Sequence, residues 1–266
     1  MLDDERKEGF NGGVWDTVEM VFLLIIKTLR STACLRGIIS IFASGQDRLQ
    51  FMDIKCVIFD FDGTLADTAE GILRTEEAML KEMGLPKPEG GEAQMRQGIG
   101  LALRDSLHVG CRIPEELLDR AVETYRRLFD EIAFDFIVPF PGTKETLQYL
   151  YDKGYQLGIA TSRSRRTLVY LLDQMGIAQY FTHLTSVEST PNHKPAPDLA
   201  LILLDQFQIS GDQALVVGDT VYDLQMGKNA GCHTCGVTFG NHTREQLSAE
   251  NPDFLVDSFP ALKGIL

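Results

Sequence analysis

Ile54-Lys55-Cys56-Val57-Ile58-Phe59-Asp60-Phe61-Asp62-Gly63-Thr64-Leu65 joins a short apolar run to a charged turn. The run has the length and composition of a strand buried on both faces. It ends in carboxylates at positions 60 and 62, followed by Gly63, a residue suited to a turn. Residues two apart in an extended segment point the same way, so Asp60 and Asp62 can face one pocket before the chain turns. Two carboxylates that close repel each other and raise a pKa unless a cation lies between them. One could then stay ionised as a nucleophile while the other holds a proton as general acid. For a lone D-x-D-G, a turn beside a solvated strand end is a serious competitor.

Downstream the same pattern repeats. Apolar runs at Tyr155 to Ala160, Phe181 to Leu184, Ala214 to Val217 and His233 to Val237, with a short one at Phe254 to Val256, alternate with helical periodicity. Thr143 to Lys153 is stopped by Gly154, and Arg166 to Met175 by Gly176. This alternation predicts an α/β fold, a Rossmann-like three-layer core around a parallel sheet. Between Phe59 and Tyr155 only helix signals occur. Asp67 or Thr68 can cap a helix to Met83, and another, with Pro114 near its start, places Leu118, Ala121, Val122, Tyr125 and Phe129 at helical spacing. The expected division is therefore a core of residues 52–66 and 139–266 with an all-helical cap at 67–138. The hinge is expected at Ala66-Asp67 and at Val138-Pro139-Phe140-Pro141-Gly142.

The 266 residues are 44% hydrophobic, enough for one or two domains with a sizeable core. Lys plus Arg number 25 against 38 Asp plus Glu, and the net charge of -13 argues against nucleic-acid or anionic-membrane partners. Five Cys (Cys34, Cys56, Cys111, Cys232, Cys235) in so large a chain suit a reducing compartment, and a cytoplasmic location is expected. Residues 1–51 are nearly charge-balanced, so almost all the net charge lies beyond them. Their longest apolar run, Met20 to Ile26, falls far short of the roughly 20 residues a spanning helix needs. This extension reads as a loosely attached helix, an interfacial anchor, or a stretch preceding a true start at Met52; the last is favoured.

Ligands of open parallel sheets bind at the carboxyl ends of the strands. After the second long run come Thr161 and Ser162, a hydroxyl pair with turn amides that could meet phosphate oxygens, or simply cap a helix. Lys194 lies in His193-Lys194-Pro195-Ala196-Pro197, and a rigidly held ammonium can neutralise a phosphoryl group. After Val217 come Gly218-Asp219 and then Asp223 at the start of a helix. Capping would explain these acids, yet oxygen ligands from separate strand ends are what a hard ion such as Mg2+ requires.

This set resembles the haloacid dehalogenase superfamily of phosphohydrolases, most closely its phosphoglycolate phosphatase-like members with a helical cap, from about Asp53 to the C-terminus. The resemblance implies that Asp60 attacks phosphorus to form an aspartyl-phosphate, while Asp62 protonates the leaving alcohol and then activates water. It implies Mg2+ held by the Asp60 side chain, the Asp62 backbone carbonyl, Asp219 and Asp223, the last directly or through water. Thr161 and Lys194 would hold the transferring phosphoryl group. Gly63, Thr64, Ser162, Arg163, Gln97 and Gly98 are the further candidates for substrate contact, the last two in the cap loop Gln97-Gly98-Ile99-Gly100. Arg74, Arg96 and Arg104 could meet a second anionic group, though each reads more simply as a solvated helix face.

The expected function is a Mg2+-dependent phosphomonoester hydrolase acting on a small phosphorylated metabolite, phosphoglycolate-like or a sugar phosphate, as a monomer or homodimer. A phosphosugar mutase and an inorganic pyrophosphatase share the chemistry, and a binding module that retains the fold is a third reading. The presence of both Asp60 and Asp62 counts against the last. Cys232-His233-Thr234-Cys235 has half the spacing of a zinc site and no second pair, so its cysteines are expected in or beside a strand.

Overall fold

All four residues of β1 (Cys56–Phe59) are fully buried in the computed structural model, which describes residues 52–266. The readings of residues 1–51 lie outside the described residues. β1 occupies the middle of a six-stranded sheet with order β5-β4-β1-β6-β7-β8, and every pairing in it is parallel. The other strands are β4 (Gln156–Ala160), β5 (His183–Thr185), β6 (Ala214–Gly218), β7 (His233–Val237) and β8 (Phe254–Val256).

The alternation of the pleat produces the three layers. Val57 and Phe59 point into an apolar cluster with Leu147, Leu150, Leu168 and Leu172 of α5 (Thr143–Asp152) and α6 (Arg165–Gln174). Cys56 and Ile58 point the other way, into a cluster with Leu199, Leu203 and Met226 of α7 (Asp198–Phe207) and α8 (Val221–Asn229). A strand covered on both faces has no room for a polar side chain until it ends, which is why the charge begins at Asp60.

β2 (Ala66–Asp67) and β3 (Val138–Pro139) pair antiparallel, so the two expected hinge segments form one ribbon. Between them lie α1 (Ala69–Met83), α2 (Gly91–Met95), α3 (Leu103–Val109) and α4 (Leu118–Ile132). Asp67 Oδ1 accepts the Ala69 N–H at 3.3 Å, whereas Thr68 makes no side-chain cap bond. Gly84 ends α1 in a left-handed conformation. The expected strand at Phe181 to Leu184 is shifted to His183–Thr185 at the sheet edge. Cys232 lies just before β7 and Cys235 inside it; α9 (Arg244–Ala249) follows.

Candidate active site

Sheet register assembles the site. Phe59 pairs with Ile159 on one side and Val217 on the other, so Asp60, Thr161 and Asp219 emerge from three adjacent strands at one edge. Asp60 extends the ladder by donating its N–H to Val217 O at 2.9 Å. Its carboxylate is 2% exposed: Oδ1 accepts from Lys194 Nζ at 2.6 Å, and Oδ2 is buried with no hydrogen-bond partner among the described residues. Lys194 reaches the site from the loop before α7 and also donates to Asp223 Oδ1 at 2.6 Å.

Asp223 does two jobs. Its Oδ2 closes the capping box of α8, accepting from Thr220 N at 3.0 Å and Thr220 Oγ1 at 2.6 Å, while Oδ1 faces the lysine. Capping does not take Asp223 out of the acid cluster: one carboxylate meets both the helix end and the lysine. Asp219 Oδ2 accepts from the Asn241 backbone N–H at 2.7 Å and side-chain Nδ2 at 2.8 Å, and Oδ1 accepts from Thr64 Oγ1 at 3.2 Å. Ligand oxygens of Asp60, Asp219 and Asp223 lie within 4.8 Å of one another. Gly63, at φ 80°, turns the chain against Asp219, where any side chain would strike that carboxylate.

Three buried carboxylates face one ammonium, and the electrostatics follow. Burial drives Asp60 well above the usual carboxylate range; Lys194 opposes this, and Asp223, Asp219 and Asp62 add to it. Burial and then Asp223 push Asp219 up to about 7, against the hydrogen bonds from Asn241 and Thr64. Burial alone would weaken the Lys194 ammonium, but Asp223 and Asp60 hold its pKa above the ordinary lysine value. The orphaned Asp60 oxygen, the all-oxygen donor set and the excess negative charge together fit a hard divalent cation.

The Asp62 side chain lies outside that cluster and pairs with Arg163, whose Nε donates to Oδ2 at 3.1 Å and whose Nη2 contacts Oδ1. The ligand role the resemblance implies for Asp62 uses its backbone carbonyl and leaves the side chain free for this pair. The guanidinium sits over Phe61, 5.5 Å from the ring centroid, and over Phe129 of α4 at 5.1 Å. Arg163 N donates to Thr161 Oγ1 at 3.1 Å, so the buried Thr161 hydroxyl is engaged by its own turn.

The cap loop meets the core. Ser162 Oγ donates to Gly100 O at 2.8 Å, Tyr222 Oη donates to Gln97 O at 3.3 Å, and Gln246 Nε2 donates to Gln97 Oε1 at 3.4 Å. Gly98 packs instead within the cap, close against Ser106. Arg74 pairs with Glu70 at 2.7 Å, and Arg104 with Glu115 at 2.7 Å and with Asp119; these are solvated faces. Sequence reasoning passed over Asn241. It lies four residues beyond β7, and scanning that strand end as the others were scanned would have found it.

The family model described as haloacid dehalogenase-like hydrolase matches residues 57–237. The chain belongs to that family. Phosphoglycolate phosphatase of Vibrio parahaemolyticus is 30% identical over 220 residues, which cover 80% of this chain and 96% of that protein. A Clostridium perfringens protein provisionally named as the pyrophosphatase PpaX is 33% identical over 204 residues, 77% of this chain and 93% of its own. Among solved structures, a haloacid dehalogenase-like hydrolase from Streptococcus pneumoniae covers 80% of this chain and 98% of its own with a TM-score of 0.72 at 24% identity, a likeness of fold. Within the family, then, the chain is a phosphatase. Among the described residues no helix is long and apolar enough to cross a membrane.

Proposed function

We propose that this phosphatase is a Mg2+-dependent phosphomonoester hydrolase acting through Asp60 on a small metabolite of the phosphoglycolate or sugar-phosphate kind. The observation that carries the reading is the state of Asp60: one oxygen on Lys194, the other buried and unpartnered among Asp219 and Asp223. In the first half-reaction an Asp60 oxygen bonds to phosphorus, the bond from phosphorus to the ester oxygen breaks, and Asp62 gives that oxygen its proton. In the second, Asp62 takes a proton from water, the water oxygen bonds to phosphorus, and the bond to Asp60 breaks to release phosphate. Lys194 and Thr161 hold the phosphoryl oxygens in both steps, with Ser162, Gly63 and Thr64 beside them.

The Asp60 side chain, the Asp62 carbonyl, Asp219 and Asp223 would hold Mg2+, directly or, for Asp223, through water, and when bound it would supply positive charge that offsets the repulsion between carboxylate and phosphate dianion. Arg163 would have to leave its buried pair with Asp62 to meet a second anionic group of the substrate, and Gln97 and Gly98 belong to the cap loop that would border that group. Four buried free thiols, Cys56, Cys111, Cys232 and Cys235, support a reducing, cytoplasmic setting.

The test is phosphate release from a panel of small phosphomonoesters and pyrophosphate, with Mg2+ or EDTA, for the wild type and Asp60→Asn. The expected result is release that needs both Mg2+ and Asp60, fastest on a phosphomonoester. Preference for pyrophosphate would overturn the substrate class, and a bisphosphate intermediate without net phosphate release would point to a mutase.

A further inference from the structure

The loop after β7 is bound to the acid cluster through Asp219, and its contacts converge on that residue. Asn241 spends both of its donors, backbone N–H at 2.7 Å and Nδ2 at 2.8 Å, on Asp219 Oδ2. His242 N donates to the Asp219 main-chain carbonyl at 3.3 Å, and His242 Nδ1 accepts from Val221 N at 3.1 Å, so the loop is also fastened to the backbone at Asp219 and just after it. The approach is close enough to require glycine at 240, where a Cβ would strike the Asp219 carboxylate and the Gly63 carbonyl.

Two donors on one oxygen fix the rotation of a carboxylate. They occupy Oδ2 and leave Oδ1, which takes a single longer bond of 3.2 Å from Thr64 Oγ1, as the oxygen for a cation. Groups that orient a metal ligand in this way set metal affinity without touching the metal. We infer that Asn241 is a positioning residue for the metal ligand Asp219, and that it sets the Mg2+ affinity of the site. The inference rests on reading the Asp60, Asp219 and Asp223 cluster as the Mg2+ site.

The experiment is a calorimetric Mg2+ titration of the full chain without substrate, for the wild type, Asn241→Ala, Asn241→Leu and Thr243→Ala. Both Asn241 variants keep the backbone donor and lose the side-chain one; leucine also keeps the size. Thr243→Ala removes the cap bond to Gln246 N at 3.3 Å, loosening the same segment without touching Asp219. The expected result is a Kd for Mg2+ about tenfold or more above wild type in both Asn241 variants, with unchanged far-ultraviolet circular dichroism. Thr243→Ala should stay within about twofold of wild type, since it leaves every contact to Asp219 in place. Wild-type affinity in a folded Asn241 variant, or an equal loss in Thr243→Ala, overturns the inference. A wild-type chain that binds no Mg2+ overturns it together with the metal reading.

Discussion

Asp60 at the strand ends and Glu76 in α1 of the cap are buried alike, 2% and 0% exposed, and are compensated in opposite ways. Asp60 has an ammonium at 2.6 Å and an oxygen turned toward two further acids. Among the described residues Glu76 has no such cation, and neither of its oxygens makes a well-formed hydrogen bond. The weak thiol donor of Cys111 opposes the effect of burial and is outweighed, so the Glu76 carboxyl is pushed up to about 8. A cation completes the first arrangement; a proton completes the second. Burial of a carboxylate therefore does not by itself mark a reactive site, and what distinguishes Asp60 is its ammonium partner together with the two further acids that share its site.

The sharpest way to break this comparison is to remove the carboxylate proposed as nucleophile, Asp60. Asp60→Asn should lower kcat by about 10^4-fold or more, because no other group in the cluster is placed to accept the phosphoryl group. Single-turnover phosphate release measures it, and retention of a tenth of wild-type activity would sink the assignment. Asp62→Asn should cost about 10^2- to 10^4-fold, the range of a general acid and base, and least on substrates whose leaving group needs no proton.

Lys194→Met tests compensation itself. It leaves Asp60, Asp219 and Asp223 buried without their ammonium, and removing one partner of such a group costs about 3 to 5 kcal/mol. Chemical denaturation should show that loss in the metal-free protein. Added Mg2+ should raise the variant's Tm more than the wild type's, since a bound cation relieves the same excess charge.

The cap carboxyl makes the complementary prediction. The folded-state pKa of Glu76, about 8, lies above its ordinary value of 4.5, so the native chain holds a proton that the unfolded chain has lost. Stability is fully present below about pH 4.5 and falls as pH rises toward about 8. The loss accumulated across that window is on the order of 5 kcal/mol. Glu76→Gln should flatten this slope and stabilise the protein most near pH 8, as read from denaturation midpoints between pH 5 and 8.5. An unchanged slope would mean that Glu76 is ionised in the folded state and has found a partner.

The contrast between these regions also explains what was legible in the sequence. β1 and Asp60 were legible because a strand covered on both faces must be apolar until it ends, and a carboxylate pair two residues apart then shares a direction. The two segments that pair as β2 and β3 were legible as chain crossings from Ala66-Asp67 and Val138-Pro139, where chain stiffness is local. The double engagement of Lys194 by Asp60 and Asp223 was not, since it depends on three segments brought together by sheet order. Glu76 was hidden for a different reason. It lies on the same buried stripe of α1 as Leu73, Met79 and Leu80, and a single acid in such a stripe reads as solvated until the opposing helix is placed over it.

The smallest expected effect concerns how the cap is tied to the core. Two arginines of the core reach α4: Arg163, buried between Phe61 and Phe129 and paired with Asp62, and Arg166, paired with Asp130 at 2.7 Å. The side chains of the second pair are 67% and 44% exposed, so water and salt screen it and the two chains give up rotamer freedom to form it. Asp130→Asn should therefore change stability by less than about 1 kcal/mol and leave kcat within about twofold. Arg163→Met, by contrast, leaves the buried Asp62 without its partner and should lower both stability and kcat. If Asp130→Asn instead produced the larger loss in steady-state turnover, the cap would be held by its rim, and the buried Arg163 would not be the contact that couples cap position to the acid and base.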